Sequence, residues 1–380
     1  MIAQITSLWA LMYKKQMLMV AVPMLLIFAV SGTVSLNLAI ANPVSAEEWT
    51  TETPMPVGVA GAKAVVVNGK IYVFVSTINY EYDPATNAWA TRTPMPTPRG
   101  DGIAVATYQN KIYVIGGRIT GGDTTGINEV YDPATDTWET RTSMPTPRQE
   151  LEANVVNGKI YLISGLIPDP KYPPNTNIFL LTNKTEVYDP STDSWITATS
   201  IPTASSNYAS AVVDNKIYII SGNSRDTTNL TQIYSPETDA WTYGAQIPMG
   251  VQAAAAGATT GTTAPKAIYV MGGFVGFVSP VDFVQAYHPE NDSWSMGIPM
   301  QTARYYLAVA VVDDTIYAIG GSTGLFENAT DQNDRYFPLR DEIGPQPELF
   351  PITLVIVSVV IVIVALAGLG VLIYFRKRKH

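Results

Sequence analysis

A phrase of about twenty residues returns along the middle of this chain and limits what the chain can fold into. It reads NEVYDPATDTWETRTSMPTPR at 128–148 and TEVYDPSTDSWITATSIPTAS at 185–205. A shorter version, VQAYHPENDSWSMGIPM, occupies 284–300. A unit that recurs every few dozen residues usually cannot bury its apolar surface alone and stacks on copies of itself. The sequence therefore predicts an array of similar units.

The repeat contains strand and turn patterns in a fixed order. An apolar strand such as KIYVIGG (111–117) is followed by a strand that ends at a Tyr-x-Pro turn, and then by a strand that carries a tryptophan. Both faces of that strand are apolar, which is typical of a strand with sheets packed above and below it. With an earlier strand and a tight turn such as Asn157-Gly158, each unit has four strands. We interpret the tryptophans as packing between neighbouring units: Trp49, Trp89, Trp138, Trp195, Trp241 and Trp294.

These units resemble kelch repeats in their Gly-Gly pair, the tyrosine before the turn and the tryptophan after it. The resemblance covers roughly residues 47–338 and implies an all-β propeller of four-stranded blades around a central channel. Six Ile-Tyr strands occur, but the last, at Ile316-Tyr317, has no tryptophan after it. The unpaired Trp49 precedes the first unit. We therefore predict six blades, the sixth closed by an N-terminal strand, and no seventh.

An uncharged apolar segment follows the repeats. Residues 352–375 carry no charge, and the basic tail 376–380 comes directly after them. As a helix at about 1.5 Å per residue, this segment would reach roughly 36 Å, enough to cross a bilayer core. We predict a transmembrane helix with a cytoplasmic tail, joined to the repeats by a short linker at 339–351. A buried core helix is the less favoured alternative.

A second apolar segment lies within residues 1–46. It follows two lysines and ends in small residues, which predicts a secretory signal peptide cleaved after Ala46. An uncleaved signal anchor is an alternative, as is translation from Met12 or Met17. Because both ends of the chain carry cations that favour the cytoplasm, residues 47–350 are expected outside the cell in either case. The protein is then single-pass if cleaved and two-pass if not.

Composition excludes several classes of partner and site. Between residues 47 and 350, 17 Lys and Arg face 32 Asp and Glu, a net charge of −15. Such a surface repels nucleic acid. The chain has no cysteine, so it has neither disulfides nor thiolate metal sites. Four Asn-x-Ser/Thr sequons are candidates for glycosylation: Asn183, Asn229, Asn291 and Asn328.

The resemblance implies that the loops between blades share a binding face with the loops after Gly-Gly. Three inter-blade loops carry an arginine, Arg99, Arg148 and Arg304, where the others carry Val59, Ser205 and Val251. We expect the arginines to form an anion-attracting arc, since Arg bonds carboxylates through a planar fork. The alternative is that each pairs with a neighbour, Asp101 or Glu150, or with backbone carbonyls.

Further candidate ligand-binding residues flank these loops. Glu150 and Tyr305 follow two of the arginines, and Phe179 and Phe274 lie in the loops after Gly-Gly. Apolar and aromatic groups at these loop positions predict a contact patch for a partner. Packing against adjacent blades is the alternative interpretation of Phe179 and Phe274.

The sequence offers few residues for catalysis. Its two histidines are His288, in a turn on the opposite face, and His380 in the tail, so a Ser-His-Asp site is not expected. A copper-oxidase propeller would need cysteine, and the sialidase Asp box is missing. A sugar mutarotase or epimerase would need only carboxylates and arginine. Its candidates are Arg148, Glu150 and Glu152.

We also expect no metal and no cofactor. Asp132 and Asp136 recur beside the turn, as calcium ligands might, but their spacing favours turn capping. The sequence as a whole predicts a membrane-anchored, extracellular kelch propeller that binds a protein or surface glycan without catalysis. The alternatives are a carbohydrate enzyme of the sialate mutarotase or epimerase type and a structural envelope component.

Overall fold

The computed structural model describes the repeat region of the chain. The described residues are 47–100, 102–119, 122–172, 176–276, 279–324 and 328–338. The predicted signal peptide or anchor, linker, transmembrane helix and basic tail lie outside the described residues. Within these ranges, no helix has the length and apolarity needed to cross a bilayer.

The described residues form six antiparallel four-stranded sheets and three short hairpins. Blade one contains β2 (Lys63–Val67), β3 (Lys70–Val75), β4 (Ile78–Asp83) and β5 (Ala88–Thr91), and blade two contains β6 (Ala104–Tyr108), β7 (Lys111–Ile115), β8 (Asn128–Asp132) and β9 (Thr137–Arg141). Blade three contains β10 (Ala153–Val156), β11 (Lys159–Ile163), β14 (Thr185–Asp189) and β15 (Ser194–Ala198), with the hairpin β12 (Leu166–Pro168) and β13 (Phe179–Leu181); blade four contains β16 (Ala209–Val213), β17 (Lys216–Ile220), β20 (Thr231–Ser235) and β21 (Ala240–Gly244), with the hairpin β18 (Asn223–Ser224) and β19 (Asp226–Thr227). Blade five contains β22 (Ala255–Ala258), β23 (Ile268–Met271), β26 (Val284–His288) and β27 (Ser293–Met296), with the hairpin β24 (Phe274–Val275) and β25 (Ser279–Pro280); blade six contains β28 (Ala308–Val312), β29 (Thr315–Ile319), β30 (Asn333–Phe337) and the N-terminal β1 (Glu48–Thr51).

An N-terminal strand closes the ring. β1 pairs with β30, with Glu48 opposite Phe337 and Trp49 opposite Tyr336, so that blade six has the order β1-β30-β29-β28. The innermost strand of blade one, β2, lies beside those of blades two and six. The prediction of a six-bladed, all-β propeller closed by the Trp49 strand is confirmed.

The second strand of each blade is buried because both of its faces meet a neighbouring sheet. In β7, Ile112 to Ile115 are all buried. The Gly-Gly pair that follows permits a close approach: a Cβ on Gly117, whose φ is +88°, would lie 2.6 Å from the side chain of Ile103. At the hairpin before β11, Asn157 and Gly158 have φ of 50° and 75°, as a type I′ turn requires.

Each outer strand is joined to the preceding blade through its tryptophan. In blade two, the Trp138 indole N–H donates to the Thr93 carbonyl at 3.0 Å. Asp136 accepts from the Thr93 backbone N–H at 2.9 Å and from the Tyr131 hydroxyl at 2.5 Å. We call this set of contacts the blade interlock. The other tryptophans also donate to a carbonyl of the preceding blade, at 2.8–3.0 Å: Trp49, Trp89, Trp195, Trp241 and Trp294.

The six innermost strands enclose a central channel. Its cavity measures about 400 Å³ and is walled mostly by alanine and valine, such as Val155, Val212 and Val309. Lys63 and Glu152 add charged groups to the wall. The fold thus presents the loops of all six blades around one opening.

Candidate functional site

The two sets of loops expected to form the binding face do lie together. Backbone bridges join inter-blade loops to loops after Gly-Gly, for example Ser76 to Arg99 and Gln149 to Leu166. We call this side of the propeller the loop face. The opposite side carries the Tyr-x-Pro turns, and we call it the turn face.

A ring of backbone hydrogen bonds surrounds the channel opening on the loop face. Each inter-blade loop places one residue there with a positive φ: Gly61, Gly102, Glu150, Asn207, Ala253 and Tyr306. Several donate their N–H to the carbonyl of the preceding member, at 2.8–3.3 Å: Gly61 to Tyr306, Glu150 to Gly102, Asn207 to Glu150, Ala253 to Asn207 and Tyr306 to Ala253. We call these six residues the mouth ring. A positive φ is unusual for an acidic or aromatic residue and marks positions of potential function.

Polar groups line one side of the mouth. A narrow cavity of about 30 Å³ is lined by residues that include Glu150 and Asn207, and it shares Lys63 and Glu152 with the channel. The Asn207 side-chain amide donates to the Glu150 carboxylate at 2.6 Å. Lys63 of blade one forms an ion pair with Glu152, which precedes blade three. This pair therefore links two blades that are not neighbours in the ring.

Tyr208 supports that polar side from beneath. Its hydroxyl accepts from the Glu152 backbone N–H at 3.1 Å and donates to the Ile163 carbonyl at 2.5 Å. Because the ring is fully buried, desolvation raises the pKa of Tyr208 well above its usual value. The hydroxyl is therefore neutral at physiological pH and orients the backbone before β10.

On the other side of the mouth, Tyr306 belongs to a row of aromatic residues. The ring of Phe274, in the blade-five hairpin, meets Tyr305 edge-on, with centroids 5.4 Å apart and planes at 88°. Tyr305 in turn lies 5.3 Å from Tyr306 of the mouth ring. The Tyr305 hydroxyl donates to the Gly324 carbonyl at 3.0 Å. Two residues singled out separately from the sequence, Tyr305 and Phe274, thus belong to one aromatic row.

The three arginines lie inside the blades, with side chains 0% exposed. Each guanidinium pairs with a buried carboxylate and contacts backbone carbonyls. The ion pairs are Arg99–Glu129 at 2.7 Å, Arg148–Glu186 at 2.9 Å and Arg304–Asp334 at 2.6 Å. Burial lowers the pKa of Arg99 to about 10, so it stays charged at neutral pH. The anion-attracting arc expected from the sequence is therefore not present on the described surface, because these charges are enclosed and neutralised.

Comparison with known proteins identifies the family. The model of the KLHDC2/KLHL20/DRC7 Kelch-repeats domain matches residues 102–321, more than half of the chain. The chain belongs to the kelch-repeat family.

Individual kelch relatives match over shorter stretches. Human Kelch-like protein 28 is 40% identical over 58 residues, 15% of this chain and 10% of that protein. Mouse Kelch-like protein 35 is 29% identical over 141 residues, 37% of this chain and 22% of that protein. The solved structure titled "Structure of YjhT" has a TM-score of 0.66 and 19% identity, over 77% of this chain and 98% of that one. That likeness shows the fold, and the curated relatives are matched over a quarter of their length or less.

The kelch repeats themselves contain the signal that identifies the arginine partners. An acid stands two residues before the turn tyrosine in the three blades that have the arginine, as in Glu186 before Tyr188. In blades four and five that position is Gln232 and Gln285, which bond the backbone of the inter-blade loop instead. Each pair joins an inter-blade loop to the third strand of the blade that follows, so the loop sequences by themselves do not show it.

The blade-three hairpin, β12–β13, presents apolar side chains on the loop face. Tyr172, Ile178 and Leu180 are 41%, 39% and 44% exposed. Phe179, between the last two, is half-buried and lies under the Arg118 guanidinium of blade two at 5.6 Å from the ring centroid. The two interpretations of this segment therefore apply to different residues: Phe179 packs against its neighbour, and Ile178 and Leu180 face solvent.

The remaining candidates divide between the two faces. The sequon asparagines are all exposed: Asn183, Asn229 and Asn328 in loops after Gly-Gly, and Asn291 on the turn face. His288, also at the turn face, shares a 2.8 Å hydrogen bond with Ser295. Asp132 accepts from the Ala134 N–H within its turn. Of the suggested sugar-enzyme residues, the structure brings Glu150 and Glu152 together at the mouth, and Arg148 lies elsewhere.

Proposed function

We propose that this kelch propeller is a membrane-anchored, extracytoplasmic binding module that holds a protein or surface-glycan ligand on its loop face without catalysis. Kelch propellers are typically protein-interaction modules. The observation that carries the proposal here is the exposed apolar hairpin of blade three beside the mouth ring. Tyr172, Ile178 and Leu180 all belong to this one hairpin.

Exposed apolar groups on a raised loop favour a partner because covering them removes apolar area from water. The hairpin also has charge at its edge, since Arg118 lies against Phe179 and bonds the Asn177 side chain. An apolar centre with a polar rim is the usual anatomy of a protein interface. A protein ligand therefore fits this hairpin better than a purely polar glycan does.

A charge placed on the hairpin tests the binding surface. We expect Leu180→Asp in the full chain to reduce ligand capture about tenfold, because the interface would then bury a charge. Ligand capture is measured by crosslinking in the native membrane. Ile196→Asp is the matched control: Ile196 lies on outer strand β15 of the same blade and is 57% exposed. Equal capture by wild type and both variants would remove the hairpin from the proposal.

The proposed location has its own test. Protease added outside intact cells should digest the propeller and leave a short protected fragment around residues 352–380. Glycan occupancy of the four exposed sequons would show as a mobility shift lost on Asn→Gln substitution. A fully protected propeller would place it on the other side of the membrane.

A sugar-ring isomerase is a second candidate, favoured by one observation. Glu150 and Glu152 line the same cavity at the mouth, and paired carboxylates can serve as general acid and base. Arg148 takes no direct part, because it is enclosed with Glu186. Exchange between sugar anomers, followed by NMR, should accelerate with wild type and not with Glu150→Gln. No acceleration across a broad sugar panel would count against this function.

A further inference from the structure

We infer that the propeller associates with a second copy of itself through the outer edge of blades four and five. Tyr243 and Met296 lie at the centre of this surface, which we call the flank contact. The inference goes beyond the proposed function, because it concerns the side of the propeller and not the loop face.

The first step is the distribution of charge around the outer edge. Within the described residues, each outer strand pairs with a neighbouring strand on one side only, so its other side faces outward. From the tryptophan to the third residue after it, blades one, two and six read WATR, WETR and WTTE, and each stretch ends in a charge. Blades three to five read WITA, WTYG and WSMG, without a charge. Charged side chains at a sheet edge discourage edge-to-edge association, and half of the ring lacks them here.

The second step is the apolar character of the uncharged half. Tyr243 of blade four and Met296 of blade five both stand two residues after a tryptophan and are 56% and 55% exposed. Ile298, which follows Met296, is exposed as well. The other four blades have threonine at the position of Tyr243 and Met296: Thr51, Thr91, Thr140 and Thr197. Single exposed apolar side chains are common, but a group of them on adjacent blades marks an interaction surface.

The third step is the kind of partner that fits this surface. Residues 47–350 carry a net charge of −15, so two copies repel each other over most of their surface. Two copies meet with the least repulsion where both edges are uncharged. A basic partner would be drawn instead to the acidic surfaces elsewhere on the propeller. The charge pattern therefore favours a second copy at the flank contact.

The fourth step is symmetry. Tyr243 and Met296 occupy the same position in adjacent blades, so a two-fold axis between these blades sets Tyr243 of each copy against Met296 of the other. Methionine sulfur and aromatic rings attract each other, and both side chains lose exposed apolar area in such a pair. Ile196 of blade three lies outside this contact, because the axis falls between blades four and five.

The fifth step is the position of the chain ends, and it rests on the proposed anchoring. Glu48 and Phe337, the two ends of the propeller, are paired with each other. Copies that are anchored through these ends stand side by side in one membrane and present their outer edges to each other. Specific interfaces usually bury about 1,200–2,000 Å². Confinement to one membrane raises the effective concentration, so a smaller contact is sufficient.

Energy transfer between labelled copies tests the association. The purified full chain with Asn229→Cys, which has no other cysteine, is labelled with donor or acceptor and placed in liposomes at low density. We expect transfer above the level of chance proximity. Tyr243→Thr combined with Met296→Thr should weaken association about tenfold, because less apolar area leaves water. Both changes introduce the residue that the other four blades already have, so the fold is retained.

A charge at matched positions supplies the control. Tyr243→Asp should abolish the transfer, whereas Thr140→Asp, at the same exposed position of blade two, should leave it unchanged. Wild-type transfer at the level of chance proximity overturns the inference, and so do equal effects of the two aspartate variants. Copies with Tyr243→Cys should form disulfides with copies carrying Met296→Cys more readily than either variant forms with itself. The reverse order would exclude the two-fold arrangement.

Two further measurements separate this inference from the proposed function. Leu180→Asp should associate like the wild type, so that lost ligand capture with retained association supports the hairpin and the flank contact as separate surfaces. Association should also be measured in detergent at raised protein concentration, where no membrane confines the copies. A loss with the double threonine variant there supports the flank contact even if the test of anchoring fails.

Discussion

At the scale of single residues, each buried arginine is stable in its blade only because a buried carboxylate neutralises its charge. Arg148 and Glu186 are both enclosed, so removing either leaves an uncompensated charge in the blade. Blade five has the uncharged pair Val251 and Gln285 at the same two positions. A charged pair and an uncharged replacement for it are thus both present within one chain.

This comparison leads to a prediction about stability. Arg148→Val alone should lower the free energy of unfolding by about 3–5 kcal/mol, because Glu186 stays buried without its partner. Adding Glu186→Gln recreates the blade-five pair and should recover most of that loss. Chemical denaturation of the two variants measures both values. A double variant no more stable than the single one would contradict the pairing argument.

Other residue-scale features exceed what sequence patterns can supply. The positive φ of Glu150 and Tyr306 has no glycine or asparagine to announce it. It arises because each inter-blade loop must bond to the loop before it around the mouth. The partner of Arg99 differs from these features, because comparing whole repeats identifies Glu129, although it is 30 residues away and meets Arg99 only after the strands pair.

At the scale of elements, the blade interlock links acid conditions to stability. Burial alone would raise the pKa of Asp193, but hydrogen bonds from the Tyr188 hydroxyl and from Thr142 hold it below its usual value. A depressed folded pKa stabilises the protein above the unfolded value, near 4, and this contribution is lost as pH falls through the folded value. Stability should therefore fall below about pH 4.

Blade one supplies the variant that tests this. Its interlock has Asn87 where blade three has Asp193, and Asn87 makes the same two contacts, with Thr53 and Tyr82. Asp193→Asn should keep the interlock at pH 7 and flatten part of the acid dependence. Asp193→Ala should lose about 1–2 kcal/mol at pH 7. Unfolding curves at pH 7 and pH 3 distinguish them, and an unchanged acid slope in Asp193→Asn would contradict the assignment.

Repeat counting predicted the main elements because each blade restates the same pattern. The unpaired Trp49 was enough to predict closure, and β1 pairs where expected. The short hairpins after Gly-Gly were not predicted, because their two- and three-residue strands have no alternation to detect. These hairpins differ between blades, and they carry Phe179 and Phe274. The repeated part of the chain was therefore predictable, and the hairpins that differ from blade to blade were not.

At the scale of the whole molecule, strand register fixes where the propeller's ends emerge. Glu48 and Phe337 are paired at the end of blade six. They occupy the places that Thr137 and Asp132 take beside the turn of blade two. Both ends of the propeller therefore leave from the turn face. If the proposed anchoring is right, we expect the loop face to point away from the bilayer.

Single labels on one blade test that orientation, and the lack of native cysteine makes them specific. Glu237→Cys and Asn229→Cys place a fluorophore on the turn face and the loop face of blade four, both at exposed positions. The linker of 13 residues spans at most about 45 Å. In liposomes with headgroup quenchers, the label at position 237 should be quenched more strongly than the label at 229. Stronger quenching at 229 would place the loop face against the membrane, where Leu180 and the mouth ring could not receive a ligand from outside.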